Sequence, residues 1–205
     1  MTVSDLATLT DAWGDLPAPR RSRLSALADY VRRRLDAGHP ARVVAICTHN
    51  SRRSHFAQLM LALAADHYGV TGVETYSGGT EATALYPAAT EALRRFGFSV
   101  EAVAGPAANP EYRVGWGGRG AVCRVFSKHY AAPPNPTRDF AALLVCDAAD
   151  AGCPVVAGAA LRVALPFADP KVSDGTAAQA AAYDARLREI GREMFYAMAL
   201  VAGVG

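Results

Sequence analysis

Apolar residues recur at Leu24, Leu27, Ala28, Val31 and Leu35 with arginines on the opposite positions, a spacing that predicts an amphipathic helix over residues 20–36, ended before Gly38 and Pro40. After that point the pattern changes. Short strand-like runs at 43–46, 73–77, 141–146 and 161–165 alternate with helical stretches at 54–68 and 86–96, and a long helical pattern closes the chain from about 177 to 201. Strands separated by helices predict a parallel sheet with helices on both faces. Ligands of such sheets bind beyond the C-terminal ends of the strands, and Cys47, Cys146 and Asp169 each follow a strand directly or shortly.

One stretch breaks this rhythm. Residues 112–116 and 121–126 flank Gly117-Gly118-Arg119-Gly120, which reads as a β-hairpin, and the following Pro133-Pro134-Asn135-Pro136 is a stiff connector. The hairpin has the length to cover a site, to form a subunit contact, or simply to decorate the surface. The pattern thus describes one domain over 1–205, with an N-terminal helical extension over 1–40 and an insertion over about 105–140.

Composition narrows the class. At 205 residues, half of them hydrophobic, the chain is long enough for one well-buried core. A formal net charge of +2 without an extended basic tract gives no footprint for nucleic acid. Residues 1–17 carry several acids and do not read as a signal peptide, and the apolar end from Met194 is too short to span a bilayer, so a cytoplasmic protein is expected. Four cysteines in such a chain are not a secreted disulfide framework and fit a reducing compartment.

The candidate chemistry lies at the first strand-to-helix junction, Cys47-Thr48-His49-Asn50-Ser51-Arg52-Arg53-Ser54. A loop entering a helix presents unpaired N–H groups, and with the helix dipole they form a nest for an anion. The same field favours a thiolate and makes Cys47 a candidate nucleophile. Arg53 supplies a planar fork for two oxygens of a tetrahedral oxyanion, while Ser54 can cap the helix and hydrogen-bond the sulfur. Thr48, His49, Asn50, Ser51, Arg52, Arg53 and Ser54 form the expected oxyanion cradle, with no metal required.

This loop resembles the phosphate-binding loop of the low-molecular-weight protein tyrosine phosphatases and of the thioredoxin-coupled arsenate reductases, which share a fold. Thr75-Tyr76-Ser77-Gly78-Gly79-Thr80-Glu81 and Tyr86-Pro87-Ala88-Ala89 are similar to the segments that follow it in both groups, and Phe167-Ala168-Asp169-Pro170 to the loop that carries their acid. The resemblance implies a three-layer α/β sandwich with a central, mostly parallel sheet of about four to five strands. It implies that Asp169 gives a proton to the leaving oxygen, although Asp174 competes for the same description.

Four departures set this chain apart within that resemblance. His49 stands where a glycine is usual, and Arg52 where a cysteine is common; Gln58 replaces an acid that helps hold potassium in the reductases. Lys171 and Val172 stand in place of the phosphatase tyrosines after the Asp-Pro pair.

Cys146-Asp147-Ala148-Ala149-Asp150-Ala151-Gly152-Cys153-Pro154 is similar to the reductase segment whose two cysteines relay oxidation away from the loop cysteine. The resemblance then implies a Cys47, Cys146 and Cys153 relay, no bound cofactor, and a thioredoxin-like external reductant. Read plainly, Cys146 and Cys153 are packed thiols around a turn. Cys123, on the hairpin, has no partner in the pattern and reads as a packed residue. An arsenate reductase is the leading expectation. A phosphomonoester hydrolase using Cys47, Arg53 and Asp169 is the alternative, and an oxyanion-binding or redox-sensing module without turnover is the third; a homodimer is compatible with each.

Overall fold

The apolar run at 43–46 lies inside β1 (Ala41–Cys47), and its two neighbours explain why it has no polar alternation. In the computed structural model, which describes residues 3–10, 13–117, 121–152 and 155–204, β1 pairs in parallel with β2 (Val73–Gly79) on one side and β6 (Phe140–Leu144) on the other. β7 (Ala159–Ala164) completes a four-stranded parallel sheet of order β2-β1-β6-β7. A central strand covered on both faces must be apolar throughout. Its sheet is at the lower end of the expected strand number.

Helices flank this sheet. α2 (Ala18–Asp36) lies against β1 and β7, burying Leu24, Leu27, Ala28 and Val31 as the periodicity predicts. α3 (Arg53–His67) packs on β1 and β2, and the long α6 (Gln179–Ala202) packs across α2, α3 and α4 (Pro87–Phe96). Proline at the first turn of α4 and left-handed Gly97 (φ 109°) at its end bound that helix at the expected residues.

Three features differ from expectation. A first helix, α1 (Val3–Thr10), precedes α2 and packs on α6, with Leu9 fully buried; its eight residues are too few to show a clear period. The hairpin over 112–126 is two strands of a three-stranded antiparallel sheet, β3 (Ser99–Ala104), β4 (Glu111–Trp116) and β5 (Ala121–Val125). β3 is an edge strand that buries only Val100, so it lacks the alternation that announces a strand. A six-residue helix, α5 (Asp147–Gly152), begins two residues after β6, where the plain reading of the sequence is a turn.

The two sheets meet beside the β1 loop. Gly79 at the end of β2 bridges to His129, with Gly79 N–H donating to the Lys128 carbonyl at 2.9 Å and Tyr130 N–H to the Gly79 carbonyl at 2.9 Å. The segment after β5 therefore seats against the end of β2.

Candidate active site

β1 ends at Cys47, the chain turns through residues 48–52, and α3 begins at Arg53, so the loop is framed by two buried elements. Its carbonyls are turned outward and satisfied. Those of Cys47 and Thr48 accept from Thr80 N–H (3.1 Å) and Glu81 N–H (2.8 Å), and that of His49 from the hydroxyls of Thr83 (3.0 Å) and Ser127 (3.1 Å). The Asn50 carbonyl meets the His55 ring at 2.9 Å, and the Ser51 carbonyl accepts from Tyr86 N–H at 3.0 Å. Among the described residues, no N–H from Thr48 to Arg53 donates to a protein acceptor. Carbonyls out and N–H groups in is the polarity of an anion nest.

Asn50 holds this conformation. It has φ 45°, a left-handed value that asparagine tolerates better than most residues. Its side-chain oxygen accepts from Lys128 N–H at 2.9 Å, and its amide donates to the Ser54 hydroxyl at 2.9 Å. Because Asn50 occupies an acceptor position on that hydroxyl, the Ser54 proton is free to point at the Cys47 sulfur, 3.1 Å away. The positive φ thus falls on Asn50, one residue beyond His49, whose own backbone needs none.

Ser54 does not cap α3. Arg52 occupies the N-cap with no side-chain cap bond, and the hydroxyl is committed to the sulfur.

Two glycines let β2 approach. A Cβ on Gly79 would lie 2.5 Å from the Thr48 carbonyl oxygen and 2.7 Å from Asn50 N, and one on Gly78 would lie 2.3 Å from the Cα of Tyr130. Side chains there would push the loop or the 128–130 segment away.

Beneath the loop lies His55, fully buried. Burial first, and then the charge of Lys128, lowers its pKa to about 3, so the ring is neutral. A neutral ring satisfies both neighbours if Nε2–H donates to the Asn50 carbonyl and Nδ1 accepts from the Ser77 hydroxyl at 3.2 Å.

The adjacent arginines diverge. Arg53 reaches the loop after β7, donating to the Asp169 carboxylate at 2.5 Å and to the Phe167 carbonyl at 2.8 Å. Asp169 also caps the one-turn helix Pro170–Ser173 by accepting Lys171 N–H at 3.1 Å. Arg52 instead turns to α6: it donates to Tyr183 (2.5 Å) and Asp174 (2.7 Å) and lies over the Tyr86 ring at 4.0 Å. Tyr183 in turn donates to Asp174 at 2.6 Å. Asp174, the rival for the acid, is therefore the anchor of this clamp, while His49 is half-exposed beside Glu81 at 3.6 Å.

A small depression is lined by Cys47, His49, Ser51, Arg52, Arg53 and Asp169. Cys146 borders the same loop. It leads into α5, its sulfur accepts Ala149 N–H at 3.3 Å, and it lies 3.6 Å from the Thr48 hydroxyl. Cys153 lies outside the described residues. Cys123 is remote on β5, where burial raises its thiol to about 11, in keeping with a packed residue. No group of three or more metal-ligating side chains occurs among the described residues, and none of their helices is long and apolar enough to cross a membrane.

The sequence model of the low molecular weight phosphotyrosine protein phosphatase family matches residues 42–113. That stretch holds Cys47, Arg53, Gly78 and Gly79 but neither Asp169 nor Cys146. A crystal structure of a low molecular weight phosphotyrosine phosphatase from Vibrio cholerae is similar with a TM-score of 0.47 at 15% identity, covering 77% of this chain and 93% of that one. No curated protein matches the chain.

Proposed function

We propose that this protein is a thiolate enzyme acting on a tetrahedral oxyanion at Cys47, and that its reaction is arsenate reduction through a second thiol at Cys146. The observation that carries the second step is the Cys146 sulfur lying 3.6 Å from the hydroxyl of Thr48, inside the loop that holds the nucleophile. A hydrolase has no use for that thiol. β1 and β6 are adjacent strands, still joined by Val145 N–H to the Ile46 carbonyl at 2.9 Å. The register sets Leu144 opposite Ile46, so Cys146 lies one residue past the position opposite Cys47 and meets the loop at Thr48, and the disulfide forms once the two sulfurs swing together.

In the first step the Cys47 thiolate displaces hydroxide from arsenic, which leaves as water with a proton from Asp169, while the loop N–H groups and Arg53 hold the remaining oxygens. In the second, the Cys146 thiolate attacks the Cys47 sulfur. The electron pair of the S–As bond goes to arsenic, which leaves as arsenite, and a Cys47–Cys146 disulfide remains. Cys153 then attacks Cys146, which frees Cys47, and an external dithiol of the thioredoxin kind reduces the Cys146–Cys153 disulfide by exchange.

Phosphomonoester hydrolysis is the second reading, favoured by the Asp169 carboxylate placed 2.5 Å from Arg53. There Asp169 protonates the leaving alkoxide or phenoxide and then activates the water that opens the phosphocysteine. Cys146→Ser separates the two readings. With thioredoxin and its reductase supplying electrons, arsenate reduction by this variant stops at or below one turnover, while hydrolysis of p-nitrophenyl phosphate stays within about twofold of the parent. Undiminished multiple-turnover arsenate reduction would falsify the relay, and an absence of arsenate turnover in the parent beside brisk phosphate release would establish the hydrolase.

A further inference from the structure

A cavity of about 620 Å³, far larger than the depression at Cys47, lies between the open edge of β2, β5 and the C-terminal half of α3. Its apolar walls include Ala62, Val70, Trp116 and Val122. Most of the charged side chains on its lining are already engaged. Asp66 accepts from the Trp116 indole at 3.1 Å, Glu74 is held by Arg42 and the Tyr76 hydroxyl at 3.0 Å each, and Arg124 pairs with Glu111 at 2.8 Å.

Lys128 is different. It is 5% exposed and lines the cavity, yet its ammonium has only the Phe126 carbonyl at 3.5 Å and the Phe126 ring at 4.6 Å. Among the described residues it forms no ion pair with a carboxylate. Burial lowers its pKa to about 8, which still leaves most of it charged at neutral pH. The carboxylate whose charge reaches it, Glu111, is paired directly with Arg124, so the ammonium is buried with no counter-ion in direct contact, which is costly unless something supplies one. On the same wall, the Gln58 amide donates to the Thr75 carbonyl at 3.1 Å and leaves its own oxygen buried with no donor.

We infer that this cavity binds a small organic anion: its negatively charged group pairs with Lys128, a hydroxyl or N–H of the ligand serves the Gln58 oxygen, and its apolar body lies against Trp116 and Val122. The volume is that of a drug-sized pocket, and an open lining that mixes apolar walls with one charge lacking a direct partner suits such a molecule. The inference is independent of the reaction at Cys47.

The probe is 1-anilinonaphthalene-8-sulfonate, titrated by fluorescence against the full reduced chain, beside its uncharged counterpart N-phenyl-1-naphthylamine. The expected result is saturable one-site binding of the sulfonate, at least tenfold tighter than the neutral dye. Lys128→Met, which keeps the main chain that holds Asn50, should weaken the sulfonate at least tenfold and leave the neutral dye unchanged. Ala62→Trp, which fills the cavity, should abolish binding of both. A sulfonate affinity no better than that of the neutral dye, or one that survives Ala62→Trp, overturns the inference. If Lys128→Met fails to fold, the comparison of the two dyes on the parent protein still decides.

Discussion

Two adjacent strands of the central sheet each lead to a cysteine, Cys47 at the end of β1 and Cys146 two residues beyond β6, and the chain treats the two ends differently. Beyond Cys47 of β1 it spends five residues on a loop whose carbonyls face out and whose N–H groups face in, and only then starts α3. Beyond β6 only Val145 and Cys146 precede α5, so the Cys146 sulfur takes Ala149 N–H as a helix-capping acceptor and has no arginine of its own. The difference separates two kinds of thiol chemistry. A sulfur in a nest can attack an oxyanion because the anion's oxygens have somewhere to bind; a sulfur at a bare helix start can attack another sulfur, which needs no cradle.

The sharpest way to break that contrast is to remove the cradle's side-chain component. Arg53→Ala should lower turnover of any oxyanion substrate by about 10²–10³-fold, the range seen when a single donor to a developing charge is lost. The neighbouring Arg52→Ala should act chiefly on thermal stability, because Arg52 is tied to Asp174 and Tyr183 rather than to Asp169. Steady-state kinetics beside thermal melts of the two variants would show the division; an equal loss of turnover in both would contradict it.

A smaller effect separates the base of the loop from its rim. His55 has a folded pKa of about 3 against an ordinary 6.5, so the unfolded chain takes up a proton that the folded chain refuses. Stability from this group is fully present above pH 6.5 and is lost as the pH falls toward 3. Between pH 7 and 4.5 the parent should lose roughly 2–3 kcal/mol more than His55→Gln, measured by urea denaturation at each pH. Parallel pH profiles for the two proteins would refute the assignment of a neutral, buried ring.

The smallest expected effect is at Ser54. Ser54→Ala removes the hydroxyl between Asn50 and the sulfur and leaves the Asn50 amide without an acceptor. We expect a cost of about 1 kcal/mol in stability and a loss of about tenfold or less in the rate at which Cys47 is alkylated by iodoacetamide. Unchanged alkylation would mean that the hydroxyl is not directed at the sulfur. No corresponding change is expected at Cys146, whose partners are Ala149 N–H and the Thr48 hydroxyl.

Much of the scaffold was legible in the chain because it depends on local periodicity. The apolar face of α2, the run of β1 and the long pattern of α6 each appear within a few residues of their expected bounds. What escaped notice lacked such a local signal. β3 buries one residue, and α1 is eight residues long. In the loop, Cys47 and Arg53 stand out as candidates, whereas the left-handed turn falls at Asn50 and not at His49, where a glycine is usual. An asparagine before Ser-Arg-Arg-Ser was the available hint, since it is among the few residues that accept that conformation. The roles of Lys128, Tyr183 and Asp174 had no such hint, because their partners are far away in sequence.

By itself the sequence determined where a strand would end in a thiol and a helix would begin, since hydrophobic period and a five-residue spacer are properties of contiguous residues. Tertiary structure decided which side chains face that point. Arg52 and Arg53 are neighbours of the same type, and only the positions of Asp174 and Tyr183 on one side and Asp169 on the other direct them apart. Cys146 came to the loop because β6 lies beside β1, and Lys128 became a buried cation because the segment after β5 closes on β2. Strand order and long-range hydrogen bonds are settled by packing over the whole core, and no local stretch of the chain contains them.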